Sequence, residues 1–233
     1  VYQCELEPAA TRSVNVAGTM NGARLCAAAG IPMIFFSSDY VFDGTKEIWT
    51  EQDKVCPLNE YGRQKAEAEA GVLGASSSNL VIRTSGAFGW QWEPKNFVLQ
   101  ILSRLKAGGS IKVFNDVRYN PTYVENLAEV VVALAKTGMG GLFQVVGADT
   151  WRRDEFARLA AEAFGLDPAG VQGVSSDEFK APARRPRLSA LSTAKVQAAV
   201  QTPILGMMAS LALMKEGEAQ WRRYAEASLP RAV

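Results

Sequence analysis

The sequence predicts an α/β protein: a parallel sheet followed by a smaller, mainly helical portion. Short, continuously apolar runs ("MIFFSS", "NLVIRTS", "GLFQVVG") recur along the chain, the kind buried on both faces of a parallel sheet. Segments of helical length, amphipathic or alanine-rich, separate them. No internal repeat or low-complexity stretch interrupts the alternation.

In order, residues 8–29 ("PAATRSVNVAGTMNGARLCAAA") predict a helix whose alanines favour helical backbone and close packing, with Gly30 and Pro32 as stop signals. "MIFFSS" (33–38) is the first strand. "DYVFDG" and "CPLNE" bracket a loop rich in turn residues. Residues 61–73 read as a helix, and "NLVIRTS" (79–85) as the second buried strand. A helix over 96–106 and a short strand "SIKVF" (110–114) follow. The amphipathic segment 122–138 is helical, and "GLFQVVG" (141–147) is a third buried strand closed by Gly147. From "DTWRRDEFARLAAEAFG" onward the pattern is mainly helical.

A chain of 233 residues, 48% apolar, can fill a sizeable core. Lysine plus arginine (25) nearly cancels aspartate plus glutamate (24), so no field of one sign exists to attract nucleic acid or an anionic membrane. The absence of histidine removes the commonest general base near neutral pH, the usual zinc ligand and every Ser-His or Cys-His arrangement. Acid-base chemistry must use Tyr, Lys, Asp or Glu, and no metal centre is expected. Cys4, Cys26 and Cys56 are odd in number and without a paired motif, which fits ordinary thiols in a reducing compartment such as the cytoplasm. No run approaches the ~20 apolar residues of a membrane span.

"NEYGRQK" (59–65) places Tyr61 and Lys65 one helical turn apart on one face, roughly 5–6 Å between Cβ atoms. A phenol has an ordinary pKa of about 10. A nearby ammonium favours the phenolate and brings tyrosine toward general-acid work. Ser37 and Ser38 end the first strand, at the edge where open α/β sheets bind ligands, and a hydroxyl there can hold a carbonyl oxygen while charge develops. Taken alone, Tyr-x-x-x-Lys is more often a solvated helix face and a strand-end serine a turn cap. Their placement on adjacent βα units favours the chemical reading: reduction of a ketone by a hydride donor.

The longer stretch "FFSSDYVFDGTKEIWTEQDKVCPLNEYGRQKAEAE" resembles the extended short-chain dehydrogenase/reductases, most closely the dTDP-4-dehydrorhamnose reductase branch. The similarity continues through "IRTSGAFGW", "NFVLQIL", "YNPTYVENLAEVV" and "ARRPRLSALSTAK". It implies a Rossmann-like doubly wound parallel sheet from residues 1–87 and 118–147, with substrate binding by 88–117 and 148–233. The implied activity is reduction of a nucleotide-linked 4-keto sugar with NADP or NAD, the partners being that sugar nucleotide and, as an assembly to test for, a second copy in a homodimer. Ser38 takes the carbonyl-polarising role, Tyr61 donates the proton, and Lys65 assists the tyrosine and holds the nicotinamide ribose. Asn15 corresponds to a helix asparagine supporting the lysine through a water, and Ser37 and Arg83 approach the cofactor, with Thr84 beside them. Asp39, Tyr40 and Ser85 line the sugar end. Asn96, Arg118 and Arg187 are candidates for the nucleotide-sugar side, because a diphosphate calls for guanidinium or amide donors.

Two readings of other classes share the resemblance: a non-catalytic subunit like the regulatory β-subunit of methionine adenosyltransferase, and a nucleotide-sugar epimerase or dehydratase. The joint presence of Ser38, Tyr61 and Lys65 argues against the first, and "SDYVFDG" against the second. The chain departs from the family at Gly86, where an aromatic residue often stands, and at Val117, so a wider or differently stacked sugar pocket is expected. The family's opening strand and Gly-x-x-Gly-x-x-Gly turn, which cradles the cofactor pyrophosphate, are absent from these residues. The expectation is therefore of an incomplete chain with little NAD(P)H affinity and with "MIFFSS" as an apolar sheet edge.

Overall fold

The structure is a computed structural model and describes residues 1–228. The final five positions of the portion expected to run to 233 lie outside the described residues. The three apolar runs form one parallel sheet, with Leu80–Thr84 in the centre, Ile34–Ser38 on one side and Gly141–Gln144 on the other. Register aligns Ser38 with Thr84 and places Ser37, Arg83 and Gln144 in one row at the C-terminal end of the strands.

Side chains alternate across a strand, so the central strand feeds two separate cores. Leu80 and Ile82 pack with Phe143 and Val145 against Leu127, Val130, Val131 and Leu134 of the helix Val124–Lys136. Val81 faces the other way, onto Phe35, Ala23 of the helix Thr19–Ala28, and Ala68 and Val72 of the helix Glu60–Ala75. Helices on both faces make the sheet doubly wound, and each fully buried aliphatic side chain contributes about 1.5–3 kcal/mol. Small residues at Ala23 and Ala68 let the helices lie close to the strands.

The first strand departs from the sequence expectation of burial on both faces. Phe35 and Ser37 are buried, but Ile34 and Phe36 are 38% and 44% exposed. The strand lies at the sheet edge among the described residues, and the cluster that encloses Leu80 and Ile82 stops short of Ile34 and Phe36. The helix expected over 8–29 is also divided. Pro8–Arg12 and Thr19–Ala28 are α-helical, Ser13–Gly18 between them is wound as a π-helix, and a short helix Tyr2–Leu6 precedes them.

The "SIKVF" run is a strand, Ile111–Phe114, but it stands apart from the main sheet and pairs in parallel with Val171–Val174. The C-terminal region is thus less purely helical than its pattern suggests; a four-residue run containing Gly173 is too short to signal a strand without its partner. The helices Phe97–Lys106, Arg153–Ala163 and Met207–Glu216 enclose a core of Phe88, Val98, Phe156, Leu211 and Met214. Among the described residues no helix is long and apolar enough to cross a membrane.

Candidate active site

The C-terminal end of the first strand runs directly into a 3-10 turn, Asp39–Val41, for which Ser38 is the N-cap. Ser38 Oγ accepts from the Tyr40 N–H at 3.2 Å and donates to Asp39 Oδ1 at 2.9 Å. The helix Glu60–Ala75 begins opposite. Asn59 caps it by accepting from the Gly62 N–H at 2.8 Å and anchors it by donating to Arg184 O at 2.7 Å. Gly62 is required by close approach: a Cβ there would lie 2.0 Å from Tyr40 O. The helix therefore starts against the Ser38–Val41 turn and brings Tyr61 to the same cavity as Ser38.

That cavity, about 290 Å³, is lined by Ser37, Ser38, Asp39, Tyr40, Tyr61 and Ser85 among others. The Tyr40 and Tyr61 rings meet edge to face, centroids 6.0 Å apart. Burial, reinforced by the Asp39 charge, pushes the Tyr61 phenol up to about 12, and hydrogen bonding to Ser38 opposes this only partly. Lysine was expected to pull the phenol down. Lys65 Nζ instead donates to Phe36 O at 2.8 Å, over the Phe35 ring and 5.9 Å from the Tyr61 centroid. Burial lowers the Lys65 pKa, with the Glu69 charge opposing. In this arrangement Tyr61 is held as a protonated donor.

Asp39 is 5% exposed and surrounded by hydroxyls. Besides Ser38, Ser85 Oγ donates to its Oδ2 at 3.0 Å, and Ser189 lines the same cavity. Burial raises its pKa, and the three serines oppose the rise. Ser37 Oγ and Thr84 Oγ1 are buried in the cavity wall without a protein partner.

Other expected positions fall elsewhere. Arg83 is buried beneath the sheet edge in a bidentate pair with Glu69, Nε to Oε1 at 2.9 Å and Nη2 to Oε2 at 2.7 Å, and does not line the cavity. Asn96 is the N-cap of Phe97–Lys106, accepting from Leu99 N and donating to Gly89 O. Arg118 lies in a two-residue strand against Arg152 and lines neither cavity described here. Asn15, in the π-helical turn, donates to Gln64 Oε1 at 2.9 Å, so it contacts the neighbour of Lys65. Arg187 lines a second cavity of about 740 Å³ and pairs with Asp177 and, at 3.8 Å, with Asp116.

Sequence reasoning missed Arg153, Arg185, Tyr119 and Ser189, which all line the first cavity. Arg153 stacks on Phe97 at 3.9 Å. Arg185 lines both cavities, which share Phe114 and Val117 as well. The arginine run "ARRPRLS" was the available signal for Arg185, but nothing local ranks one arginine over another. Gly86 and the region of Val117, separate departures in sequence, meet in space. Gly86 has φ +54°, and a Cβ on it would lie 2.2 Å from Tyr119 Cε2, so the Tyr119 ring occupies the place of a side chain at position 86.

A strand-end serine and a helical Tyr-x-x-x-Lys at the C-terminal edge of a doubly wound parallel sheet define a protein of the short-chain dehydrogenase/reductase class. The chain belongs to the RmlD substrate binding domain family, whose sequence model matches residues 1–216. It is 35% identical over 215 residues to a dTDP-4-dehydrorhamnose reductase of Mycobacterium tuberculosis, covering 89% of this chain and 70% of that relative. It is 31% identical over 206 residues to a dTDP-4-keto-6-deoxy-D-glucose reductase of Streptomyces niveus, covering 87% and 70%. Among solved structures, the dTDP-4-dehydrorhamnose reductase of Bacillus anthracis in complex with NADP superposes with a TM-score of 0.87 at 27% identity, over 93% of this chain and 76% of that one.

Proposed function

We propose that the protein is an NADPH-dependent reductase of a dTDP-linked 4-keto sugar, with Ser38, Tyr61 and Lys65 as its catalytic residues. The observation that carries this is the convergence of Ser38 and Tyr61, 23 residues apart in sequence, on one cavity at the sheet edge, with Lys65 one turn below. The two relatives above are reductases of dTDP-linked sugars, and the superposed structure holds NADP.

The unpartnered Ser37 Oγ in the cavity wall fits a ligand that supplies hydrogen bonds there, and Ser37, Tyr61 and Lys65 are the residues that would hold the nicotinamide end. A dinucleotide held there would supply the hydride for the carbonyl carbon. Tyr61 gives its phenolic proton to the carbonyl oxygen, and Ser38 donates a hydrogen bond to the same oxygen as charge develops on it. Tyr40 and Ser85 close the sugar end. The second cavity suits the nucleotide diphosphate: Lys180, Arg184, Arg185 and Arg187 line it, and Phe114 and Phe179 offer an aromatic pair for the base. The division of labour is between residues 1–87 with 118–147, around the sheet, and 88–117 with 148–233, which supply Phe114, Val117, Arg153, Arg185 and Ser189 to the cavity.

Tyr61→Phe in the full-length protein tests the assignment. Loss of a general acid lowers kcat by about 10²–10⁴-fold. NADPH binding, followed by fluorescence, should remain within a few-fold. Ketone reduction at the wild-type rate would remove Tyr61 from its role.

A further inference from the structure

A serine hydroxyl has one proton, and Ser38 Oγ lies 2.9 Å from Asp39 Oδ1, so a carboxylate there takes that proton's hydrogen bond. One acceptor position of the same oxygen is filled by the Tyr40 N–H, and Tyr61 lines the same cavity. A carboxylate at Asp39 thus leaves Ser38 no proton for a substrate oxygen. With Asp39 ionised, Ser38 is the donor of this bond while Ser85 donates to the other carboxyl oxygen.

We propose that Asp39 is a positioning residue whose protonation state decides where the Ser38 proton points: the carboxylate withholds it, and the neutral acid releases it to the substrate carbonyl. With Asp39 neutral, its O–H donates to Ser38 Oγ, and the Tyr40 N–H fills the remaining acceptor position. The Ser38 proton then turns into the cavity and Tyr61 is free to donate beside it. Ser85 still donates to the other carboxyl oxygen. Nothing is transferred in this switch except the one proton that Asp39 takes from solvent, and the polarising bond is strengthened by the donors behind it.

The surroundings agree. Asp39 is 5% exposed, and burial raises its pKa. The ionisable groups facing it are the phenols Tyr40, Tyr61 and Tyr119, each pushed up by the Asp39 charge. The guanidiniums of Arg153 and Arg185, from the helix Arg153–Ala163 and the "ARRPRLS" segment, line the same cavity. Burial favours protonation of Asp39, and the surrounding hydroxyls oppose it.

The inference rests on the reductase reading, so its test has an arm independent of turnover. In the full-length protein, the carboxyl carbon of Asp39 is followed by carbon-13 NMR against pH, assigned by its absence in Asp39→Asn. It should titrate above the ordinary value of about 3.9, and wild-type kcat/KM should fall about tenfold per pH unit above that same midpoint. Asp39→Asn can donate to Ser38 at every pH while accepting from Ser85. It should therefore overtake the wild type above the midpoint, by about tenfold per further pH unit, whereas Asp39→Ala should lose activity at all pH values. An Asp39 midpoint at or below the ordinary value, or an Asn variant that declines in parallel with the wild type, overturns the proposal. If the wild type reduces no dTDP-4-keto sugar, the functional reading fails, and the carboxyl midpoint alone decides the Asp39 claim.

Discussion

Gly86→Ala is the sharpest probe of how the sugar end of the cavity is built. The residue sits at φ +54°, where an L side chain costs about 1–2 kcal/mol. The new Cβ would lie 2.2 Å from Tyr119 Cε2 and 2.6 Å from Cδ2, against at least 3.4 Å for ordinary contact, so the ring must retreat by roughly 1 Å. Tyr119 is 4% exposed and packs edge-on against Phe156, 6.3 Å between centroids, so it has little room. Overpacking of this kind costs about 1–3 kcal/mol. The two terms together predict a loss of about 2–5 kcal/mol in urea denaturation. Because Tyr119 lines the cavity, KM for the keto sugar should rise as well. Repeating the substitution in a Tyr119→Ala background separates the terms: the backbone strain of about 1–2 kcal/mol remains and the clash disappears. A cost below about 0.5 kcal/mol, or an equal cost in both backgrounds, would refute the account of Tyr119 as the filler of that space.

Two further outcomes follow from the buried charges and phenols. Glu69→Ala leaves the Arg83 guanidinium, 3% exposed, without its bidentate partner and should destabilise the fold by about 3–5 kcal/mol; replacing both residues with apolar side chains of similar volume should recover most of it, and a single-variant loss under ~1 kcal/mol counts against a structural role for the pair. Tyr61 stays protonated up to about 12 in the fold against 10.0 for a free phenol, so its contribution to stability is complete below pH 10 and is lost as pH rises from 10 to 12. Urea midpoints across that window should fall less steeply in Tyr61→Phe than in the wild type; identical slopes would mean that the phenol is not held neutral by the fold.

The elements that carry the chemistry were legible because their signals are local. The helix predicted over 61–73 spans Glu60–Ala75, and its start is fixed by Asn59, an N-cap placed just before the helical pattern. The apolar runs predicted as strands are strands, and the central one, Leu80–Thr84, has the cover on both sides that a continuous run of Leu, Val and Ile needs. Asn96 was also legible, but for another purpose: an asparagine immediately before "FVLQIL" is a helix cap first, and its side chain is used there. Arg83 was misplaced for a physical reason. Its strand-end position suggested the cavity, but its side chain points to the face covered by the Glu60–Ala75 helix, where Glu69, 14 residues back, neutralises it.

By itself, then, the sequence determined the parallel α/β sheet through its periodicity, and through its resemblance it pointed to the family and to Ser38, Tyr61 and Lys65 as candidates. Only the tertiary structure decided how those groups are buried and which partners surround them. Asp39 is enclosed by Ser85, 46 residues on, and by Ser189. Tyr61 is raised by burial, with Lys65 turned to a backbone carbonyl of the edge strand. Tyr119 fills the space above Gly86. Desolvation and hydrogen bonding act through space between distant segments, and no local pattern records which of them will meet.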